Sequence, residues 1–502
     1  MNAHIFRKHL RGIGRDRKLL RTGCPYHIFF IMKITKSLIV GILCLFVSPL
    51  LAQKKPNILF CIADDWGKHA GIYGDKIVKT PNFDRLAREG VVFTNAFCGS
   101  PSCTPSRATI LTGRYPHQNE ESGNLWSTLQ TKLPNYASIL AENGYHVGVE
   151  RKGWGPGDFK VGGYAQNPAG KNYKNFDEFL EKRSADKPFC YWFGSQDPHR
   201  VYEAGTGKAS GMNPADVRVP AYWPDTPEIR EDVLDYYYEV QRFDREVGLL
   251  LKKLEEIGEL ENTLIVVTSD NGMPFPRAKA NVYDAGTNLP LVFYWKGKIP
   301  AHRTDAFMSF VDFAPTFLET ARLPIPKEMS GKSLWPLLKN QTQHHRNEIF
   351  LERERHATVR RGDRSYPIRA IRTRDYLYIQ NLEPEQWPAG DPQLYFAVGP
   401  YGDVDPGPTK DMMLQDSVKY AYHYRLTFAK RPAEELYDLK KDPDQVNNLA
   451  KNGNYQSVKK GLALKLTQWR KETNDPRTHG QHPFETYPYY GNSAETEKMK
   501  NE

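Results

Sequence analysis

Three segments of the chain are continuous apolar runs that end in polar residues. They are NILFCIADD (57–65), PFCYWFGSQDPH (188–199) and TLIVVTSDNG (263–272). Uninterrupted apolar runs of this length are typical of strands that are buried on both faces of a parallel sheet. We therefore predict that the three runs are strands of one parallel sheet.

Helical patterns lie between these runs. TPNFDRLAREG (80–90) offers Thr80 as a helix cap, Pro81 at the first helical position and a glycine as the stop. Segment 232–260 places apolar residues at three- and four-residue steps, which predicts a long amphipathic helix. Strands that alternate with helices favour an α/β fold with right-handed crossovers.

Polar side chains follow each of the three runs. Ligands of an open α/β sheet bind beyond the carboxyl ends of its strands, so we expect these side chains to converge at one edge: Asp64, Asp65, His199, Asp270 and Asn271. Either acidic pair taken alone is better explained as the start of a loop, but the coincidence of three strand ends favours a site. Carboxylate and amide oxygens suit Ca²⁺ or Mg²⁺ rather than zinc, and several protein oxygens favour Ca²⁺.

CTPSRATILTG (103–113) is predicted to be a short helix, with Thr104 as the N-cap, Pro105 at the first helical position and Gly113 as the stop. A cysteine at this place faces free backbone N–H groups and the positive end of the helix dipole. The position suits a bound anion, and it also suits a thiol with a lowered pKa. The pattern itself leaves both possibilities open.

The pattern changes after residue 345. Segment 369–382 alternates like a pair of antiparallel strands, 435–450 is a strand followed by turn signals, and 455–475 is a closing helix. We therefore expect a catalytic domain over 53–345, a smaller α+β subdomain with an antiparallel sheet over 346–475, and a polar tail over 476–502. The charged run 352–369 is either a solvated surface or a rim that recognises acidic sugars.

Residues 32–52 have the features of a secretory signal peptide: two lysines, an apolar stretch from Leu38 to Phe46 and a small residue, Ala52, before the cleavage point. The apolar stretch is too short to cross a membrane, so we expect no stable membrane insertion and a secreted or periplasmic protein. Residues 1–31 are interpreted as an upstream extension of the reading frame, and the alternative is an unusually long n-region of the signal peptide.

The formal charge of +10 is concentrated at the N-terminus. Residues 1–31 hold seven Lys or Arg and one Asp, and Lys33 and Lys36 follow, so the rest of the chain carries only about +2. This small excess argues against a nucleic-acid partner. Four cysteines remain after residue 52, which is too few for a disulfide scaffold.

Three motifs resemble those of one enzyme family. The segment CTPSRATILTG is similar to C-x-P-S-R-x-x-x-L-T-G, the maturation signature of the type I sulfatases, and IADDWG (62–67) and TSDNG (268–272) resemble their metal-binding motifs. The resemblance extends over about residues 55–475. It implies an alkaline-phosphatase-like fold, in which a mostly parallel sheet lies between helices, and the hydrolysis of a sulfate group.

The resemblance also implies the site chemistry. A maturation enzyme would convert Cys103 to Cα-formylglycine, whose hydrated aldehyde is the nucleophile. One Ca²⁺ ion would be held by residue 103 together with Asp64, Asp65, Asp270 and Asn271. Other matching positions would act on the nucleophile, the sulfate or the leaving group: Arg107, Lys152, His199 and Lys279, with Arg277 as the local alternative to Lys279.

The chain departs from the family in the segment ERKGWGPG (150–157). Lys152 matches the family's lysine, but Trp154 stands where a histidine is expected. His199 therefore becomes the main candidate for the acid that protonates the leaving group. His117, in YPHQN, either lines the pocket or has a structural role.

Five segments resemble the sulfamidase branch of the family and occur in the same order: 197–200, 269–291, 365–371, 435–443 and 469–476. This branch implies hydrolysis of the N-sulfate of a terminal glucosamine in heparan sulfate or heparin. Three alternatives remain: an O-sulfatase acting on a sulfated glycan, a phosphatase or phosphonate hydrolase of the same fold, and a non-catalytic binder of sulfated glycans. A homodimer is possible.

Overall fold

The structure is a computed structural model that describes residues 54–393 and 399–491. A mixed eight-stranded sheet forms its centre, in the order β4-β3-β5-β1-β6-β7-β2-β8. The strands are β1 (Asn57–Ala63), β2 (Val91–Phe97), β3 (His146–Arg151), β4 (Lys171–Tyr173), β5 (Phe189–Gly194), β6 (Thr263–Ser269), β7 (Asn288–Tyr294) and β8 (His302–Ser309).

Strand β7 is antiparallel to both of its neighbours, and the other pairs of this sheet are parallel. The three predicted apolar runs are β5, β1 and β6, which are adjacent at the centre of the sheet. Their predicted burial on both faces is confirmed. In β1, Ile58 and Phe60 pack into one apolar core, and Leu59 and Cys61 pack into the other.

The α-helices of the described residues cover the sheet and the C-terminal region. They are α1 (Pro81–Glu89), α2 (Cys103–Thr112), α3 (Tyr136–Glu142), α4 (Phe176–Glu181), α5 (Thr206–Ala209), α6 (Pro227–Glu256), α7 (Asp284–Thr287), α8 (Phe313–Thr320), α9 (Trp335–Leu338), α10 (Pro408–Gln415), α11 (Ala421–Thr427), α12 (Gln456–Glu472) and α13 (Pro483–Thr486).

The apolar faces of the helices explain their positions. Helix α6 packs on one face of the sheet through residues such as Val240 and Leu251, while Phe313 and Phe317 of α8 pack on the other face. The long amphipathic helix predicted from 232 is therefore confirmed, although it begins earlier, at Pro227. No described helix is both long enough and apolar enough to cross a membrane.

A second sheet has four antiparallel strands in the order β12-β11-β10-β9. These strands are β9 (Glu348–Arg353), β10 (Ile368–Thr373), β11 (Tyr376–Asn381) and β12 (Glu434–Asp438). The antiparallel sheet expected in the C-terminal region is confirmed, together with the closing helix α12. The boundary proposed at residue 345 remains a prediction, and the signal peptide lies outside the described residues.

The predicted polar tail begins with ordered structure. Phe484 of α13 is fully buried, and its backbone carbonyl accepts a hydrogen bond from Asn124 at 2.8 Å. Arg477 is also buried and pairs with Glu354 and Glu485. A scattered polar sequence without a helical period can still pack when a few aromatic and charged anchors find partners in the rest of the fold.

Candidate active site

Two central strands bring the predicted acids together. Strands β1 and β6 are paired so that Ala63 lies opposite Ser269, and both strands end at the same edge of the sheet. Asp64 and Asp270 therefore begin adjacent loops, and the Asp270 N–H donates to the Ala63 carbonyl at 3.2 Å. The Asp65 N–H donates to Oδ1 of Asp270 at 3.0 Å, which holds the two loops in contact.

Helix α2 places Cys103 beside these acids. The cysteine is the first residue of the helix, and its Sγ atom lies 3.5 Å from Oδ1 of Asp64 and 4.0 Å from Oδ1 of Asp65. Burial raises the pKa of the Cys103 thiol well above its usual range, although the Lys152 ammonium opposes this shift. The direction of this pKa shift is opposite to the lowered pKa that the sequence left open as one of two possibilities.

The N-cap predicted for this helix is wrong. Ser102 is the N-cap residue, so Thr104 lies inside the first turn. The Thr104 hydroxyl instead donates to the carbonyl of Pro156 at 2.5 Å. A hydroxyl near a helix start can act as a cap or bind a neighbouring loop, and here the loop after β3 is close enough to accept its hydrogen bond.

The acidic group has the composition of a cation site. Ligand atoms of Asp64, Asp65, Cys103 and Asp270 all lie within 4.8 Å of one another, and all four residues are buried. Oδ1 of Asn271 is also buried, and it receives no hydrogen bond from the described residues. Buried carboxylates repel one another unless a cation or a hydrogen-bond donor compensates for their charge. These residues therefore fit a hard divalent cation.

Three cationic side chains pair with the three acids in the structure. Lys152 Nζ lies 2.6 Å from Asp64 Oδ2, and Lys279 Nζ lies 2.7 Å from Asp65 Oδ2. Arg107 Nε donates to Asp270 Oδ2 at 2.8 Å. Burial lowers the pKa of the Lys152 ammonium, but the Asp64 carboxylate outweighs this effect and keeps the lysine protonated.

His199 lies at the opening of the group. Its Nε2 atom is 3.8 Å from Asp65 Oδ2, and its Nδ1 atom is 2.5 Å from the carbonyl of Arg200. The side chain of His199 is 37% exposed, compared with 19% for Lys152 and 5% for Lys279. The site therefore joins a buried anionic centre, buried cations and a solvent-accessible imidazole.

Comparison with known proteins identifies the family. The sequence model of the sulfatase family matches residues 56–323. This chain belongs to the sulfatase family. A second model, described as the C-terminal region of N-sulphoglucosamine sulphohydrolase, matches residues 277–393. The protein is therefore a hydrolase of sulfate esters or sulfamates.

Several characterised proteins resemble this sulfatase along most of their length. Human N-sulphoglucosamine sulphohydrolase is 29% identical, over 86% of this chain and 93% of its own length. An ulvan-active sulfatase of Formosa agariphila is 30% identical, over 84% of this chain and 76% of its own length.

The solved structures that resemble this sulfatase support its fold. One of them, in complex with its substrate D-glucosamine-2-N,6-O-disulfate, superposes with a TM-score of 0.61 at 22% identity, over 84% of this chain and 99% of that chain. The phosphonate monoester hydrolase of Agrobacterium radiobacter has a TM-score of 0.60 at 18% identity, over 83% of this chain and 96% of that chain. The alkaline-phosphatase-like α/β architecture expected from the sequence is thereby confirmed.

Trp154 does not face the opening of the sulfatase site. Its indole is buried in the apolar core, and Nε1 donates to the hydroxyl of Ser122 at 3.1 Å. The tryptophan therefore offers no proton donor to a bound substrate. The loop that carries it is still important, because Arg107 donates to the carbonyls of Lys152 and Gly153 at 2.8 and 3.0 Å.

The structure decides between Lys279 and Arg277. Of these two residues, Lys279 has its ammonium group in contact with the acidic group. The guanidinium of Arg277 instead lies 3.9 Å from the ring centroid of Tyr283 and donates to the carbonyl of Leu426 at 2.7 Å. Between the two interpretations of His117, the contacts favour the structural one. Both of its ring nitrogens are bonded, at 2.9 Å to Glu352 and at 3.1 Å to Thr473.

The charged run 352–369 is mostly buried, so the solvated-surface interpretation is wrong. Its buried Glu and Arg residues are Glu352, Arg353, Glu354, Arg355, Arg360 and Arg369, and His356 is buried as well. Arg369, for example, pairs with Glu354 at 2.8 Å and with Asp475 at 2.9 Å. Charges can be buried in this way because each is paired with an opposite charge that only the folded chain brings within reach.

Sequence reasoning missed two residues near the site. His356 Nδ1 lies 2.8 Å from the hydroxyl of Ser102, directly before the cysteine, and Asp405 Oδ2 lies 3.1 Å from Nζ of Lys279. Both come from the C-terminal region, about 250 and 125 residues from these partners in sequence. Asp405 belongs to no motif, and the charged run 352–369 that contains His356 has no local feature that distinguishes this histidine from its neighbours.

Proposed function

We propose that this sulfatase removes the N-sulfate from a terminal glucosamine of heparan sulfate or heparin. The observation that carries the proposal is the match of residues 277–393 to the C-terminal model of N-sulphoglucosamine sulphohydrolases, in addition to the sulfatase match. The similarity to the human enzyme over 86% of the chain supports the same substrate. The proposal includes export to the periplasm or the exterior through the segment at about 32–52.

The nucleophile in this proposal is residue 103 after a formylglycine-generating enzyme has oxidised its cysteine. The hydrated aldehyde supplies one hydroxyl that attacks sulfur and a second whose deprotonation expels sulfate and restores the aldehyde. The position of Cys103 at the start of α2, 3.5 Å from Asp64, supports this role. An unmodified cysteine that attacked the same sulfur would be left as an S-sulfonate, which has no comparable route of release.

The acids would hold one Ca²⁺ ion, through Asp64, Asp65, Asp270, Asn271 and the modified residue 103. The unpartnered Oδ1 of Asn271 and the separation of at most 4.8 Å among the other ligand atoms support this assignment. When bound, the ion would supply positive charge that stabilises anionic oxygens at residue 103. Calcium is preferred over magnesium because the site offers several protein oxygens.

The cationic side chains of the chain would bind and orient the sulfate. Lys152 follows β3 and Lys279 follows β6 in the sequence, and the ammonium group of each contacts an acid of the site. Both ammonium groups can donate hydrogen bonds to sulfate oxygens. Arg107 is held by Asp270 and two backbone carbonyls, so it would keep residue 103 in place. His199 would donate the proton that the nitrogen leaving group requires.

Mass spectrometry tests the nucleophile. The matured protein is digested with trypsin, and the peptide that contains residue 103 should be about 18 Da lighter than the cysteine form, as conversion of the thiol side chain to an aldehyde requires. Cys103→Ala is the matched control and should release no sulfate. Full activity of a protein that retains only the thiol would overturn this mechanism.

A substrate panel tests the specificity. Glucosamine sulfated at the N, 3-O or 6-O position is incubated with the matured enzyme, and the released sulfate is measured. We expect release from the N-sulfated sugar. Release from an O-sulfated sugar alone would favour the second candidate, an O-sulfatase, which is supported by the 26% identity to an N-acetylglucosamine-6-O-sulfatase of Bacteroides thetaiotaomicron.

A further inference from the structure

Asp405 is a carboxylate that lies beside Lys279 at the candidate site and has no role in the proposed chemistry. Asp405 lies between the second sheet's strands β11 and β12 in sequence, in the segment before α10. Its Oδ2 atom is 3.1 Å from Nζ of Lys279, and its side chain is 19% exposed. Asp405 is thus as exposed as Lys152, and together with His199 these side chains mark the accessible part of the site.

Lys279 is shared by two carboxylates of the described residues, Asp65 and Asp405. Asp65 already provides the lysine with a closer partner, at 2.7 Å. Oδ2 of Asp405 is buried beside Nζ of Lys279, so the exposed fraction of the side chain lies on its other atoms, among them Oδ1, which can accept a hydrogen bond from a substrate. A carboxylate at this place also repels an anionic substrate. We therefore expect the carboxylate to contact a hydrogen-bond donor of the substrate, which would offset the repulsion.

We propose that Asp405 is a specificity-determining residue, whose carboxylate accepts a hydrogen bond from an N–H or O–H group of the sugar beside the sulfate and disfavours a second sulfate on the same sugar. An ionised carboxylate is an acceptor only, so it selects for donors. Its hydrogen bonds are stronger than those between neutral groups. A neighbouring sulfate ester offers no donor and adds a repelling charge.

This inference rests on the proposed function, because it concerns the same site. The test compares Asp405→Asn, which keeps the shape and removes the charge, with Asp405→Glu, which keeps the charge. The matched control is Asp411→Asn, since Asp411 is an exposed acid six residues further on in α10. All variants are matured in the same way, and their unfolding midpoints are measured to establish that they fold.

The readout is kcat/KM for N-sulfoglucosamine and for its 3-O-sulfated and 6-O-sulfated derivatives. In Asp405→Asn we expect about a tenfold loss on the monosulfated sugar, from one lost charge-assisted hydrogen bond. We expect at least one disulfated sugar to gain about tenfold relative to the monosulfated one. Asp405→Glu should retain part of the original preference, and Asp411→Asn should retain all of it.

Inhibition by inorganic sulfate separates specificity from a purely structural effect on Lys279. If Asp405→Asn weakens sulfate inhibition and lowers kcat/KM for all three sugars by the same factor, Asp405 acts only through the lysine, and the inference is overturned. An unchanged preference in Asp405→Asn overturns it as well.

Failure of the proposed substrate would be recognised separately. If the wild-type enzyme releases sulfate from an O-sulfated sugar and not from N-sulfoglucosamine, the comparison is repeated with that sugar and its disulfated derivatives. The Asp405 prediction is then tested on the substrate that the enzyme does hydrolyse.

Discussion

Each of the three acids in the site is paired with a different cationic side chain. Lys152 pairs with Asp64, Lys279 with Asp65, and Arg107 with Asp270. The pairing explains how three carboxylates can be buried together, since every one has a compensating charge. It also implies that a divalent cation would release the two lysines from their present role and leave them available for an anionic substrate.

Calcium should therefore stabilise the folded protein. At a free concentration 100-fold above its Kd, a ligand that binds only the folded state adds about 2.7 kcal/mol to the free energy of unfolding. We expect Ca²⁺ to raise the thermal midpoint of the EDTA-treated wild type, as measured by differential scanning calorimetry. Asp65→Asn should abolish most of this increase, and the exposed variant Asp411→Asn should preserve it. An equal increase in all three proteins would place the bound calcium elsewhere.

The role proposed for His199 predicts a dependence on the leaving group. Removal of a general acid costs about 10²- to 10⁴-fold in rate when the leaving group needs a proton. His199→Ala should therefore lose activity of this order on N-sulfoglucosamine. On nitrophenyl sulfate, whose phenolate leaves without a proton, the loss should be smaller than tenfold. Single-turnover measurements with both substrates test this expectation, which equal losses would contradict.

Among the secondary-structure elements, the end of strand β5 is in close backbone contact with the loop after β3. A Cβ atom on Gly194, the last residue of β5, would lie 1.8 Å from the carbonyl oxygen of Lys152. That carbonyl accepts a hydrogen bond from Arg107 and lies directly beside the candidate sulfate-binding lysine. The glycine is thus needed for a close backbone approach that positions the site.

Gly194→Ala should therefore impair both stability and activity. The carbonyl is part of the backbone and cannot move aside as a flexible side chain could, so we expect a loss of about 1–3 kcal/mol in the free energy of unfolding, measured with urea, and a lower kcat. Gly461→Ala is the control, because Gly461 lies within α12 with nothing near its Cβ position. That substitution should stabilise the protein by about 0.5–1 kcal/mol and leave activity unchanged. If Gly194→Ala behaved like the control, the close packing would be refuted.

In the whole molecule, the C-terminal region reaches the edge of the large sheet at which Asp64 and Asp270 lie. His356 is buried, and its ring contacts the Ser102 hydroxyl at 2.8 Å. Burial lowers the pKa of His356 to about 4; the Asp403 carboxylate opposes this shift, while the Lys279 ammonium reinforces it. The folded protein therefore holds this imidazole neutral at a pH at which an unfolded chain would protonate it.

This histidine makes the stability of the whole molecule sensitive to acid. Between pH 6.5 and about 4 the unfolded state binds a proton that the folded state excludes, so the contribution is complete above pH 6.5 and is lost as the pH falls. A difference of this size corresponds to about 3 kcal/mol. His356→Gln, which can still bond to Ser102, should show a correspondingly smaller decrease in the free energy of unfolding over this range, measured by urea titration at a series of pH values. Parallel curves for the two proteins would exclude His356 as the source.

Much of the fold could be predicted from the sequence because its signals are local. The apolar runs of β1, β5 and β6 predict buried strands, because a strand that is covered on both faces needs no polar positions. The convergence of Asp64, Asp65, Asp270 and Asn271 followed from strand ends that meet at one edge. The N-cap of α2 was mispredicted because Ser102 and Thr104 are both able to cap a helix, and the choice depends on contacts with the loop at Pro156.

The family, the α/β class and the acids beside Cys103 could all be inferred from the amino-acid sequence, because each depends on a short motif or on a periodic pattern of burial. Three outcomes required the folded structure: Lys279 rather than Arg277 reaches the candidate site, the run 352–369 is buried, and His356 and Asp405 lie beside that site. These outcomes depend on contacts between residues that are over a hundred positions apart. The packing of both sheets and their helices determines which side chains meet across such a separation. These contacts produce no periodic pattern in the sequence around either residue.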